Sequence, residues 1–228
     1  MSRRISGYER EPRDLYQTPA WVTQELLKHV VLHPDILEPA CGDGAMERVL
    51  IEHGFRVIAS DVQPGPRSSG AVEDFLSLSY PILEEMPHIG AIATNPPFKL
   101  AEEFAETGLR RMRRCAGQVA LLLPTDFDHA SSRRHLFGGC PQFARKIMLT
   151  KRIRWFEGDP RDKGKGPMGN HAWFVWDWRH RGSPALSYMR AERPVAPRGL
   201  EKPIGAAKLR VKSETAPQPS QEAPSDVR

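Results

Sequence analysis

The segment Ile36-Leu37-Glu38-Pro39-Ala40-Cys41-Gly42-Asp43-Gly44-Ala45-Met46 decides the architecture. A short apolar run enters a glycine turn, and apolar residues at helical spacing follow over about 45 to 53. Strand, glycine turn and helix form the nucleotide cradle of open α/β sheets, where ligands sit beyond the carboxyl ends of the strands. The dinucleotide pattern GxGxxG is incomplete, because Glu47 occupies the third glycine position. Asp43 and Glu47 also put negative charge at a helix start, where an anion site must be free of it. The turn therefore suits a ligand without phosphates.

Downstream, Arg56-Val57-Ile58-Ala59-Ser60-Asp61 reads as a second strand. It ends in a carboxylate about twenty residues past the first glycine, where an acidic side chain reaches a ribose diol; an Asp in a surface turn accounts for the same residue. A Pro-Gly-Pro-containing loop follows. Residues 71–76 form a third short strand or turn with Asp74 at its tip and Phe75 beside it. A fourth apolar run, Ile89-Gly90-Ala91-Ile92-Ala93, ends in Thr94-Asn95-Pro96-Pro97-Phe98. Two successive prolines remove two backbone donors, and Pro96 pushes Asn95 out of helical geometry, so the strand stops. The turn keeps free carbonyls, one side-chain amide and one flat ring, which suits a planar NH2-bearing group. An ordinary proline turn, with Asn95 capping and Phe98 packed inside, accounts for the same five residues.

The pattern continues with a helix over about 99 to 114, its arginines at the carboxyl end where cations suit the helix dipole. Gln118-Val119-Ala120-Leu121-Leu122-Leu123-Pro124 is continuously apolar, as a central strand buried on both faces must be. A helix over 127–137, a strand over 146–156, a mobile glycine-rich and basic loop over 157–170, and an aromatic strand from Ala172 to Trp178 complete the series. Upstream of the glycine turn, Thr18 reads as an N-cap with Pro19 at the first position of a helix over about 19 to 31. Residues 1–14 read as a flexible arm, and 15–180 as the folded domain. From 181 to 228, Pro, Ala, Ser, Glu and Lys replace any periodicity, which reads as a disordered tail.

The 228 residues carry a formal charge of +5 and include three cysteines, and the isoelectric point is near 9.3. Cys41, Cys115 and Cys140 lie far apart with no CxxC pair. That pattern argues against a disulfide framework or a cysteine zinc site, and for a reducing, cytoplasmic setting without a metal. No apolar run has membrane-spanning length. The mild basicity permits a polyanionic partner, with candidate contacts at Arg133, Arg134, Arg152, Arg154, Trp155, Lys163 and Lys165.

Taken in order, Tyr16-Gln17-Thr18-Pro19, the glycine turn, Asp61, Asp74-Phe75 and Asn95-Pro96-Pro97-Phe98 resemble the S-adenosylmethionine-dependent amino-methyltransferases. Within these, the likeness is to the N6-adenine DNA methyltransferases with the gamma order of motifs. It covers roughly residues 14 to 178 and implies a Rossmann-like class I methyltransferase fold. That fold is an α/β, seven-stranded, mostly parallel sheet with helices on both faces, and its last strand, here the aromatic one, is inserted antiparallel. The resemblance implies cofactor contacts from Tyr16, Thr18, Glu38, Ala40, Cys41 and Gly42, with Asp61 on the ribose. It also implies contacts from Asp74 and Phe75 to the adenine, and from Asn95. Asn95, Pro96, Pro97 and Phe98 form the implied catalytic turn, acting on a base flipped out of DNA. Trp155 and Phe156 are the candidates for a second stacking aromatic. The same fold with RNA bases or a protein glutamine amide as acceptor, and a catalytically silent nucleic-acid-binding domain, are the alternatives.

Overall fold

Strand β5 (Gln118–Pro124) shows why a central strand forms here: Val119 to Leu123 are fully buried, with side chains shared between two separate apolar layers. The computed structural model describes residues 16–155 and 169–189, which lie in the compact unit 1–190. The remaining strands are β1 (Asp35–Glu38), β2 (Arg56–Asp61), β3 (Ala71–Val72), β4 (Ala91–Thr94), β6 (Phe143–Met148), β7 (His171–Asp177) and β8 (Ala185–Tyr188). They form one eight-stranded sheet in the order β3-β2-β1-β4-β5-β7-β6-β8. β7 runs antiparallel to β5 and β6, and every other pairing is parallel.

Helices α1 (Ala20–His29) and α2 (Ala45–Glu52) contribute Val22, Leu26, Met46 and Leu50 to the layer on one face. Helices α3 (Pro81–Glu85) and α4 (Ala101–Met112) contribute Leu83, Phe104 and Met112 to the other. Indole hydrogen bonds pin both layers: Trp173 donates to the Val22 carbonyl at 2.9 Å and Trp176 to the Leu136 carbonyl at 2.7 Å. The chain leaves β1 for β2 on one side and later returns to β4 on the other, opening a crevice at the carboxyl ends of β1 and β4.

The glycine-turn strand, β2, β5 and the inserted aromatic strand stand where the sequence places them. Four readings change. The Thr18 hydroxyl caps no helix: Pro19 is the cap, extended at φ −60° and ψ 144°, so α1 starts one residue later and Thr18 faces Asn95. Residues 127–137 form two 3-10 segments, Phe127–His129 and Ser131–Leu136, because Ala130 is extended between them. The strand expected over 146–156 ends at Met148, since β6 must match β7 and its register there finishes at Ala172. The tail boundary at 181 is too early. After Gly182, in the left-handed region at φ 100°, the chain passes to the far side of β6 and pairs as β8. β8 is an exposed edge strand, so its sequence lacks the apolar signature of a buried one. The expected loop over 157–170 and arm over 1–14 lie almost wholly outside the described residues. Among the described residues, no helix is long and apolar enough to cross a membrane.

Candidate active site

A cavity of about 440 Å3 opens at the carboxyl ends of β1, β2 and β4. Four pieces of backbone enclose it: residues 16–18, the glycine turn, the strap after Asp61, and the Asn95 turn. Its size is that of a small-molecule site.

The glycine turn is built from left-handed residues, Gly42 at φ 51° and Gly44 at φ 72°. A Cβ on Gly44 would also lie 2.7 Å from the Glu47 carboxylate. The Gly42 amide donates to Asp61 Oδ2 at 3.0 Å, which joins the ends of β1 and β2. Residues 62–70 then fold back as a strap over the turn. Gly65 donates to the Gly42 carbonyl at 2.7 Å, and a Cβ there would come within 3.0 Å of the Asp43 Cα. Asp43 accepts from the Arg67 amide at 2.9 Å and from its guanidinium Nε at 2.5 Å. Glu47 is buried and accepts from the Ser68 hydroxyl at 2.8 Å, from the Ser69 amide and from the Ser69 hydroxyl. The two acids that argue against a phosphate ligand are thus the anchors of the strap. Burial works to raise the Asp43 pKa, but the hydrogen bonds and charge of Arg67 outweigh it and hold the carboxyl below its ordinary range.

Glu38, at the end of β1, is 2 % exposed, and its Oε2 has no hydrogen-bond partner. Burial, and then the neighbouring Glu47 charge, push its pKa well above the ordinary carboxylate value. Burial likewise pushes the Cys41 thiol up to about 12, so it stays protonated. Asp61 spends one oxygen on Gly42 and the other on the Gln63 amide at 2.9 Å, which leaves further lone pairs toward the cavity it lines.

Across the cavity, Asn95 donates from Nδ2 to Thr18 Oγ1 at 3.2 Å and to the Tyr16 carbonyl at 3.5 Å. These bonds fix the amide orientation and leave Oδ1 buried without a partner. Pro96 is buried and Pro97 lines the cavity. Phe98 is half-buried, its ring 5.5 Å from His171 and 6.4 Å from Trp155.

Of the residues singled out in the sequence, Tyr16, Thr18, Glu38, Ala40, Cys41, Gly42, Asp61, Asn95 and Pro97 line this one cavity. Asp74 and Phe75 stand elsewhere. β3 is only two residues long, so the chain turns before it reaches the cavity. Asp74 is exposed and accepts from the Leu76 amide, and Phe75 is in the core against Tyr80 and Phe104. Strap residues Val62 and Gln63 take that side of the lining. The loop composition that marks 62–70 carries no ligand motif, although an exposed Val62 directly after the strand-ending acid is a signal. Nor does the sequence reading single out His171, a lone polar residue at the head of an apolar strand.

Among the basic candidates, Arg133 is engaged internally: it bonds Glu102 at 3.1 Å and lies over the Phe127 ring. Arg134 and Arg154 are exposed, and Arg152 donates to Asn170 at 3.2 Å. Trp155 is buried in the core; Phe156, Lys163 and Lys165 lie outside the described residues. The arginine-rich end of α4 adjoins the start of β5, at the sheet edge opposite the cavity, and there Arg111 packs over Tyr80.

No protein-family model matches the chain, and neither does any curated protein. Among solved structures it is similar to a candidate RNA methyltransferase of Pyrococcus horikoshii, with a TM-score of 0.50 and 12 % identity over 76 % of this chain and 92 % of that one. It is equally similar to a candidate hemolysin of Lactococcus lactis, with a TM-score of 0.50 and 14 % identity over 76 % and 94 %. A modification subunit of a candidate type I restriction enzyme from Vibrio vulnificus aligns at a TM-score of 0.45 and 15 % identity over 81 % of this chain and 48 % of that one. The chain thus spans about half the length of that subunit. Strand order, the antiparallel β7 and the first two likenesses together make this a Rossmann-like class I methyltransferase fold.

Proposed function

We propose that the chain transfers a methyl group from S-adenosylmethionine to an exocyclic amine, and that the acceptor is the N6 amine of adenine in DNA. The observation that carries the proposal is Asn95: its NH2 is held by Thr18 and Tyr16, and its buried oxygen has no partner. An acceptor atom placed this way, at the edge of a cavity, receives an N–H from a ligand.

The residues suit the cofactor. The unpartnered Glu38 oxygen, buried in the cavity wall, matches a cationic ligand, and the Asp61 lone pairs match a diol. The absence of an open phosphate cradle also agrees with this donor. When bound, S-adenosylmethionine supplies an activated methyl group on a sulfonium. The protein's part concerns the acceptor. An adenine amine is a poor nucleophile because its lone pair is delocalised into the ring. With one N–H donated to Asn95 Oδ1 and the other to the Pro96 carbonyl, the nitrogen is drawn toward a pyramidal shape and its lone pair is freed. Positioning and electrostatics then account for the rate, with no covalent enzyme intermediate. Neither amide group is a base, so the proton shed by the methylated amine passes to water. Phe98 offers a face for a base that has left its helix.

DNA as the acceptor is supported by the Asn95-Pro96-Pro97-Phe98 turn and its gamma-order neighbours, and by the basic charge of the chain. Incubation with methyl-labelled cofactor and, separately, DNA, RNA and protein fractions tests it. Label on adenine N6 of DNA is the expected result. Label on RNA or protein alone reassigns the acceptor, and label on none of them rejects the activity.

A further inference from the structure

His171 is the first residue of β7, and in the register with β5 it stands opposite Pro124. Because β7 runs antiparallel, its first residue arrives at the sheet edge where the parallel strands end, the edge at which β4 delivers Asn95. His171 is 5 % exposed, and its Nδ1 is buried without a hydrogen-bond partner. Its ring is inclined at 33° to Phe98 at a centroid distance of 5.5 Å, and stands edge-on to Trp155 at 5.1 Å. Trp155 lies 5.4 Å from Tyr16, whose carbonyl accepts from the Asn95 amide. A chain of contacts therefore leads from Asn95 and Tyr16, which line the cavity, through buried Trp155 to His171 and Phe98 behind them.

A side chain that only filled this apolar space would be apolar, like Ala172, Trp173, Phe174 and Val175 that follow it in β7. A ring nitrogen buried with no partner destabilises the free protein. Burial also pulls the imidazole pKa down to about 4 against the opposing charge of Asp126, so the ring is neutral at physiological pH. A neutral imidazole keeps one donor and one acceptor nitrogen, and which is which follows from the partner it meets.

We propose that His171 is a positioning residue for the acceptor, whose imidazole forms a hydrogen bond with the polar edge of a planar heterocycle held by Asn95 and Phe98. The inference rests on the amine-methyltransferase reading and deepens it. The amide turn handles the reacting NH2, which a nucleobase and a glutamine side chain share. A second polar contact beside an aromatic wall suits only an acceptor with a ring, that is, a nucleobase.

The test uses the full chain, labelled S-adenosylmethionine, and adenine-containing single-stranded oligonucleotides in deoxy and ribo form. His171→Phe keeps the ring and removes both nitrogens; His171→Asn returns a polar group near the Nδ1 position. His171→Phe is expected to raise the oligonucleotide KM by about 10- to 100-fold, with kcat and cofactor Kd within about threefold of wild type. His171→Asn recovers most of that loss. A His171→Phe enzyme with wild-type KM overturns the role of His171 while leaving the methyltransferase reading intact. Equal loss of cofactor binding and thermal stability in both variants also overturns it, by making the residue structural. Label transferred by the wild type to a glutamine peptide and to neither oligonucleotide overturns the nucleobase assignment, and no cofactor binding by the wild type rejects both readings.

Discussion

The strap over the glycine turn and the Asn95 turn both wall the same cavity, yet they treat buried polar atoms in opposite ways. In the strap, the Asp43 and Glu47 carboxylates are completed by Arg67, Ser68 and Ser69 from the same chain. At the Asn95 turn, the Asn95 oxygen and, beyond it, the His171 nitrogen end in nothing. An unmade buried hydrogen bond costs about 1–3 kcal/mol, so a fold keeps few of them without a use. The polar groups of the strap finish their bonds inside the protein, whereas the Asn95 oxygen, in the cavity lining, is left for a ligand under the proposed function.

Asn95→Ala breaks this contrast most sharply. It removes the unpartnered acceptor together with the amide's bonds to Thr18 and Tyr16, and it is expected to lower turnover on the order of a hundredfold, by analogy with the loss of one oxyanion-type donor. Asp61→Ala is the counterpart on the cofactor side: calorimetry should show much weaker S-adenosylmethionine binding there, and a smaller loss in Asn95→Ala, whose amide holds Tyr16 and Thr18 in the cavity lining. Near-normal methylation by Asn95→Ala would rule out the amide as the orienting group.

Glu47→Ala strikes the satisfied side. It leaves the Ser68 and Ser69 donors of the strap without their acceptor, so stability should fall by about 1–3 kcal/mol. The strap residues Val62 to Pro66 line the cavity, so cofactor affinity should fall with it, by about tenfold. Chemical denaturation and calorimetry on the same preparation check both. A stability loss with unchanged affinity would show that the strap is not part of the cofactor wall.

The contrast also governs what the sequence revealed. β1, β2, β5 and β7 were legible because continuous apolar runs and a glycine turn are local signals. Asp61 and Asn95 were legible because each ends a strand. The strap was not: its role lies in bonds such as Arg67 to Asp43, which span 24 residues. Asp74 and Phe75 do not line the cavity because β3 stops after two residues, and strand length is set by pairing with β2. Thr18 illustrates the same limit. Its sequence fits a helix cap, and only the folded chain shows its hydroxyl turned to Asn95 instead.

Glu38 lies between the two cases, a buried acid in the cavity wall with one oxygen partnerless. Its folded pKa is raised above the ordinary value, chiefly by burial. The unfolded chain therefore releases its proton first, and the contribution of Glu38 to stability falls as pH rises from about 4.5 through the folded pKa. Glu38→Gln removes that loss. It should melt with the wild type near pH 4 and above it at pH 8, by a few degrees for a gain of about 1 kcal/mol. The same variant should bind S-adenosylmethionine more weakly, since an amide cannot answer a cationic ligand. A variant less stable than wild type at pH 8 would mean that the carboxylate is satisfied in the free protein, and Glu38 would then belong with Asp43 and Glu47 as a strut of the wall.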